Sequence, residues 1–234
     1  MNVQTLMIKM KQRLNKLDSL DYDNVECWQF VEVFNKAQVE WCRRQLAGTN
    51  VLKQGDEQSS RRVDDLQALM TTAPLNLNVL PIYSETLSMP VDYFSFKRLE
   101  LFATKECCKE PRLMAVYETE EGNVSNDLLD KFKEPSFEWA ETFMTFIGNK
   151  IRIYTNQAFD IYSANLIYYK QPVKIQVSGC MNPYTGTVST ADVDPGLKDD
   201  IVEVIIDDAV AILAGDIESL NQKGREESAA EQNN

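Results

Sequence analysis

The chain has 234 residues, with 24 Lys and Arg against 36 Asp and Glu, and it contains no histidine. The formal charge of −12 argues against a broad basic surface that coats nucleic acid. The missing imidazole excludes Ser-His-Asp and Cys-His nucleophile systems, His-ligated zinc and His proton shuttles. What remains is an ordinary globular composition, 44% hydrophobic and 26% charged, for one large domain or two small ones.

Up to about residue 70 the chain reads as helical, with no proline before Pro74. Leu6, Met10, Leu14 and Leu17 recur at helical spacing within Thr5–Leu17. A second helix is expected from about Asn24 to Leu46, with Asp23 and Glu26 as a capping-box-like start and Gly48 as its stop. Its face of Cys27, Phe30, Val31, Phe34, Ala37 and Trp41 is widened by Val33, Val39 and Cys42, so it must be covered on most sides. Glu57–Met70 is expected to form a third helix carrying Arg61 and Arg62. Both this pair and Arg43-Arg44 are too local for a nucleic-acid groove.

From Pro74 the pattern changes to strands. Leu75–Val79 alternates, Tyr93–Thr104 and Leu113–Tyr117 read as paired strands, and Val124–Phe132 as a short helix between them and the next hairpin. That hairpin is the clearest: Thr142–Ile147, a Gly148-Asn149 turn, then Lys150–Thr155. Asp160–Tyr169 and Val173–Val177 supply further strands. A turn-rich loop covers Ser178 to Gly196, a length usually reserved for functional loops or contacts with another chain. The last strong element is a helix over Lys198–Asn221, and the small polar tail after it is expected to be disordered.

The expected fold class is therefore α+β, a helical bundle of N- and C-terminal helices with an inserted antiparallel β domain. Its parts are an N-terminal helical region at 1–73, the β domain at 74–178, a long loop at 179–197, the C-terminal helix at 198–221 and a tail at 222–234. The five cysteines, Cys27, Cys42, Cys107, Cys108 and Cys180, make a poor disulfide framework by number and spacing, so reduced thiols packed as small apolar groups are expected. With no signal-peptide pattern and no run of about 18 apolar residues, synthesis in a reducing cytoplasm without a membrane span is expected.

In the C-terminal helix, Ile201, Ile205, Ala209, Ile212, Leu213 and Leu220 share a wide apolar arc, flanked by Val204, Ile206, Val210 and Ile217. Asp200, Glu203 and Asp207 lie together on the opposite side, as a solvated face near a helix N-terminus, as a carboxylate cation site or as a surface that repels polyanions. Carboxylate pairs such as Glu138/Glu141 leave a glycoside-hydrolase reading open, although nothing around them marks a desolvated acid. Trp139, Phe143, Tyr154, Phe159, Tyr162, Tyr168 and Tyr169 interleave with polar residues, as a strand would require or as a face for carbohydrate or protein. There is no Walker A sequence, no GxGxxG and no EF-hand loop, and no cofactor, metal or catalytic residue is expected.

The last third of the chain carries a more specific pattern. Phe137-Glu138-Trp139-Ala140-Glu141, Phe146 through Tyr154, and Leu166-Ile167-Tyr168-Tyr169-Lys170-Gln171-Pro172 precede a helix with Asp199-Asp200-Ile201-Val202-Glu203 and Leu213-Ala214-Gly215-Asp216-Ile217-Glu218. With the upstream Cys107 through Leu113, this series resembles head-to-tail connector proteins of short-tailed phages, in particular of the crAss-like phages. The resemblance covers about residues 75 to 220. It implies a virion protein at the head-to-tail junction: an adaptor subunit in a dodecameric ring beneath the portal protein, touching neighbouring connector or tail proteins. Packaged DNA would pass through without sequence-specific binding, and an acidic wall suits sliding. Subunit-interface candidates are Trp28, Phe34, Trp41, Ile201, Ile205, Ile212, Leu213 and Ile217. Channel-facing acidic candidates are Asp200, Glu203 and Asp207. The alternative is another virion accessory or tail module that binds protein or glycan through its β domain.

Overall fold

The computed structural model describes residues 1–17, 25–47, 66–106 and 108–217. The chain is an α+β protein that separates into two compact units, one formed by Met1–Leu69 with Pro172–Asn234 and the other by Met70–Gln171.

In the first unit, helices α1 (Val3–Leu17) and α2 (Cys27–Ala47) come from one end of the sequence, and α4 (Asp199–Ile217) comes from the other. α4 packs against both α1 and α2. It buries Ile201, Val202, Ile205, Ile206, Ala209, Val210, Leu213 and Ala214, an i, i+1, i+4, i+5 seam wide enough to meet two neighbours. α1 buries Val3, Leu6, Met7, Met10 and Leu14 on a narrower stripe. Full burial of an aliphatic side chain of this kind contributes about 1.5–3 kcal/mol. The start of α1 is capped by Asn2, whose Oδ1 accepts from Thr5 N–H at 2.7 Å, and by Asp194, whose Oδ1 accepts from Val3 N–H at 2.7 Å. α2 begins at Cys27, three residues later than the periodicity suggests. There Gln29 Oε1 accepts from the Glu26 N–H at 2.9 Å, while Asp23 and Gly48 lie outside the described residues.

Segment 172–198 belongs to this unit and is fastened to it by buried polar groups. Asn35 reads the backbone of Ile175 in both directions, accepting from its N–H at 2.8 Å and donating to its carbonyl at 3.3 Å. Gln38 donates to the Val173 carbonyl at 2.9 Å. These bonds replace ladder partners, so the strand expected over Val173–Val177 is reduced to a single bridge between Gln176 and Val193. Within the expected long, turn-rich loop the chain forms a folded hairpin. Gly179 N–H donates to the Ser189 carbonyl and Ser189 N–H to the Cys180 carbonyl, Met181 faces Val188 in a second bridge, and Gly186 at φ +69° makes the turn. Cys27 and Cys180 form a disulfide across 153 residues of sequence, with their Cα atoms 6.0 Å apart. The expectation of reduced thiols fails for this pair because count and spacing carry no information about which distant cysteines the fold brings together.

The second unit is an eight-stranded sheet in the order β1-β8-β4-β5-β6-β7-β3-β2. The strands are β1 (Met70–Pro74), β2 (Leu77–Val79), β3 (Tyr83–Thr86), β4 (Tyr93–Lys105), β5 (Cys108–Glu118), β6 (Glu141–Ile147), β7 (Lys150–Tyr154) and β8 (Asp160–Lys170). Its two edge strands, β1 and β2, are separated in sequence only by Leu75 and Asn76. Seven inter-strand gaps laid flat would span about 34 Å. The three Cα steps from Pro74 to Leu77 reach at most about 11 Å, so the sheet must curl until its edges approach. Both link residues stay in register with the edges they join: Leu75 N–H donates to Ala164 next to β1, and Asn76 accepts from Leu87 N–H just beyond β3. Inside the curl lie Leu99, Leu101, Met114, Met144, Ile151, Ile153, Leu166 and Tyr168.

The sheet is mixed, not purely antiparallel as expected. β5 and β6 run parallel, because residues 119–140 cross over between them instead of turning tightly. This crossover holds a 3-10 turn (Glu121–Asn123) and the short helix α3 (Val124–Leu129). Met70–Pro74 was expected to end the helical region but pairs with β8, so the units divide at Leu69/Met70 and again at Gln171/Pro172. The expected third helix falls mainly outside the described residues, as do residues 218–221 of the expected C-terminal helix and the whole of the tail at 222–234.

Replacing Asn35 by Leu leaves a buried N–H and carbonyl of Ile175 without partners. Urea unfolding of Asn35→Leu is expected to show a loss of about 1–3 kcal/mol. A change below about 0.5 kcal/mol would show that water replaces both bonds.

Candidate interaction surface

The structure separates the expected interface residues by exposure. Phe34, Trp41, Ile201, Ile205 and Leu213 are buried in the helical unit's own core, and Trp28 and Ile212 are half-buried. Ile217 closes α4, and its side chain lies outside the described set. A fully covered side chain has no area left for a neighbouring subunit, so Trp28 and Ile212 keep more surface for such a role. Ile8 on α1 and Val204 on α4, 58% and 50% exposed, are exposed apolar residues of the same unit.

Two of the three acids are drawn into ion pairs. Glu203 meets Lys9 and Arg13 of α1, and Arg13 Nη1 also reaches Asp207 Oδ1 at 2.7 Å; Asp200 is exposed. The Lys9 contact, then the Arg13 charge, hold the Glu203 carboxyl below its ordinary range despite partial burial. Two cations from α1 thus balance part of this face, while Asp200 and the Asp207 side chain remain exposed. Among the described residues no cluster of His, Cys, Asp or Glu has metal-holding geometry.

The aromatic series divides as well. Phe143, Tyr154, Phe159, Tyr168 and Tyr169 are buried, whereas Trp139 is 79% and Tyr162 68% exposed. Phe143 stacks on Tyr154 at 4.8 Å, and Tyr168 donates its hydroxyl to Asp92 at 2.7 Å, with burial pushing that phenol up to about 12. These rings are structural.

Three of the exposed apolar residues of the sheet unit, Leu113, Tyr117 and Trp139, meet on one outer face. On β5, Leu113, Ala115 and Tyr117 alternate with the core residues Met114 and Val116, so all three point to the same side. Leu113 and Tyr117 are more than half exposed. With Trp139, Ala140 and Glu141 they line a hollow of about 660 Å³, rimmed on the β4 side by Arg98 and Glu100. Tyr117 and Glu141 also line an adjoining hollow of about 270 Å³ with Phe132 and Lys133.

Trp139 is held outward by a tight turn. Ser136 and Glu141 exchange backbone hydrogen bonds, the Trp139 N–H donates to Ser136 Oγ at 3.3 Å, and Ala140 takes φ +57°. Arg112 braces this turn from β5, donating to the carbonyls of Phe137 and Glu138 at 3.1 Å each. The crossover is pinned by buried Asp127, which accepts from Thr119 Oγ1 at 2.7 Å and meets Lys133 Nζ at 3.3 Å. The Thr119 bond, then Lys133, hold its carboxyl below the usual range against the opposing effect of burial. The surface is therefore a positioned apolar patch with charged margins, suited to recognition.

The sequence pattern singled out Trp139 but missed Leu113 and Tyr117 as surface residues. Their β5 alternation was visible, yet both of its faces carry apolar side chains, which hides the outward one. No helix among the described residues is long and apolar enough to cross a membrane. No protein-family model matches the sequence, and none of the curated proteins is similar to it.

Two predictions follow from these placements. Because Glu203 is depressed in the folded state, its contribution is fully present above the ordinary carboxylate pKa and is lost as pH falls through the folded value. The urea midpoint should therefore drop between about pH 5 and pH 3, and less so for Lys9→Met. Equal pH slopes in both proteins would contradict the assignment. For the patch, Tyr117→Ser with Trp139→Ser should change stability by less than about 0.5 kcal/mol while reducing binding of an apolar fluorescent dye. A large loss of stability would place these rings in the core instead.

Proposed function

We propose that the protein is a structural virion subunit, a head-to-tail connector that assembles as a ring beneath the portal around the DNA channel. In this reading α1, α2 and α4 form a helical bundle, and the sheet unit is an insertion that presents contact surface. The observation that carries it is the outer face of the sheet, where Leu113, Tyr117 and Trp139 stay in water around one hollow while Phe137, Phe143, Tyr154, Phe159, Tyr168 and Tyr169 are buried. An exposed patch of this kind marks a contact with another macromolecule, and its position on strands makes it rigid. The sequence resemblance in residues 75 to 220 supplies the choice of a connector among such proteins. The net charge of −12 is compatible with DNA passing without being gripped.

With ring assembly, the subunit contacts lie on the exposed Ile8 and Val204 and the half-buried Trp28, while Phe34, Trp41, Ile201, Ile205 and Leu213 stabilise the subunit itself. A second reading, a virion accessory or tail module that binds protein or glycan, is favoured by the outward Trp139 beside Tyr117, since flat rings at a hollow's rim suit a sugar face.

Negative-stain electron microscopy of the protein, alone and mixed with the portal of the same virus, tests the connector. Rings formed alone, or density added to the portal's narrow end, are the expected results. Monomers that also ignore the portal would overturn it and favour the accessory module.

A further inference from the structure

We propose that Cys27 and Cys180 act as a thiol–disulfide switch that fastens the 178–189 hairpin to the start of α2, and that this device operates whether or not the chain forms rings. The pair stands apart from the other described cysteines. Cys42 is buried, with burial pushing its thiol up to about 12, and Cys108 lies on the sheet unit. Cys27 sits in the first turn of α2 and is half-buried; Cys180 lies near the start of the hairpin and is 5% exposed.

The hairpin has two zones that the bond treats differently. Its base is tied to the helices without covalent help, through Asn35 to Ile175, Gln38 to Val173, Gln4 to Asp192 at 3.1 Å and Asp194 to Val3. Its outer part is closed on itself: Asn182 receives and donates the turn hydrogen bonds around Gly186, and Met181 faces Val188. Met181, Tyr184 and Val188 are each 46–62% exposed there, with the Lys174 ammonium 3.8 Å from the centre of the Tyr184 ring. The disulfide is the covalent tie at the junction of the two zones. With it closed, the apolar tip is held in one position; with it open, the tip keeps only its backbone hydrogen bonds and the packing of Asn182, Tyr184 and Ser189, and samples more conformations.

The chemistry balances through a low-molecular-weight disulfide as oxidant. The more accessible Cys27 thiolate attacks one of its sulfurs, breaking that S–S bond and releasing one small thiolate. The Cys180 thiolate then attacks Cys27 Sγ of the mixed disulfide and releases the second. Two protein thiols lose two electrons and two protons, and the oxidant is recovered as two small thiols. In a reducing cytoplasm the pair is open, and it closes when the protein meets an oxidising medium. Closure also links positions 153 residues apart, a loop that contains the entire sheet unit, which restricts the unfolded chain strongly.

The test uses the full chain purified in reductant and then equilibrated with oxidised glutathione. Non-reducing peptide mapping of the monomer fraction should recover a Cys27–Cys180 cross-link. The midpoint of thermal unfolding should rise by about 5–10 °C on oxidation. Protease cleavage between 179 and 189 should slow at the same time. Cys27→Ser and Cys180→Ser should each abolish both changes, while Cys108→Ser keeps them. Complete oxidation without that cross-link, a cross-link to another cysteine, or the cross-link with unaltered cleavage and melting would each overturn the proposal.

Discussion

The feature on which the sheet unit depends is the two-residue link between its edge strands. Leu75 and Asn76 join β1 to β2, although the strand order puts those strands at opposite ends. A flat sheet cannot satisfy that connection, so the chain geometry forces curvature and thereby creates an inside and an outside. Alternation along each strand then sorts the side chains: Leu101, Met144, Ile153 and Leu166 turn inward, and Leu113 and Tyr117 are left outside. The exposed patch is in this sense a consequence of closure. A strand with apolar residues on both faces fills the interior with one set and must leave the other for water or a partner.

The helical unit is organised by a different constraint. Its three long helices supply ample apolar seams, but the connection between sheet and α4 has few neighbours in the sequence to pair with. Asn35 and Gln38 solve this by acting as surrogate strand partners for the backbone at Val173 and Ile175. Such groups rarely occupy a buried helix face without a specific bond to make. The acids behave similarly at the other end of the unit: Asp192 and Asp194 meet the start of α1, and Glu203 meets its Lys9 and Arg13. A polypeptide with twelve excess negative charges thus uses several of its acids as local fasteners.

These arrangements bear directly on function. Ion-paired Glu203 and Asp207 present less negative surface than their sequence spacing suggests, whereas Asp200 remains exposed. The recognition potential moves to the sheet's outer face and to the tip of the hairpin around Met181, Tyr184 and Val188. Both are apolar groups displayed on braced backbone: a bridged turn and Arg112 at Trp139, and the hairpin bonds with a disulfide at Cys180. Rigid display lowers the ordering cost of any association these surfaces make.

Periodicity alone located α1, α2 and α4, the Gly148-Asn149 hairpin, the β4–β5 pair and the short helix of the crossover, because each is set by interactions a few residues apart. The α+β class followed from their order. The parallel β5–β6 pairing, the edge-to-edge closure and the bridge between Cys27 and Cys180 join distant residues, and no local pattern encodes them. The same division applies to the surface. Composition excluded histidine chemistry outright, since absent atoms cannot react, and the apolar faces of the helices were legible from spacing. Whether Phe34 or Tyr117 meets the chain's own core or the solvent was decided only by packing, because hydrophobic character is a property of the residue and burial is a property of its neighbours.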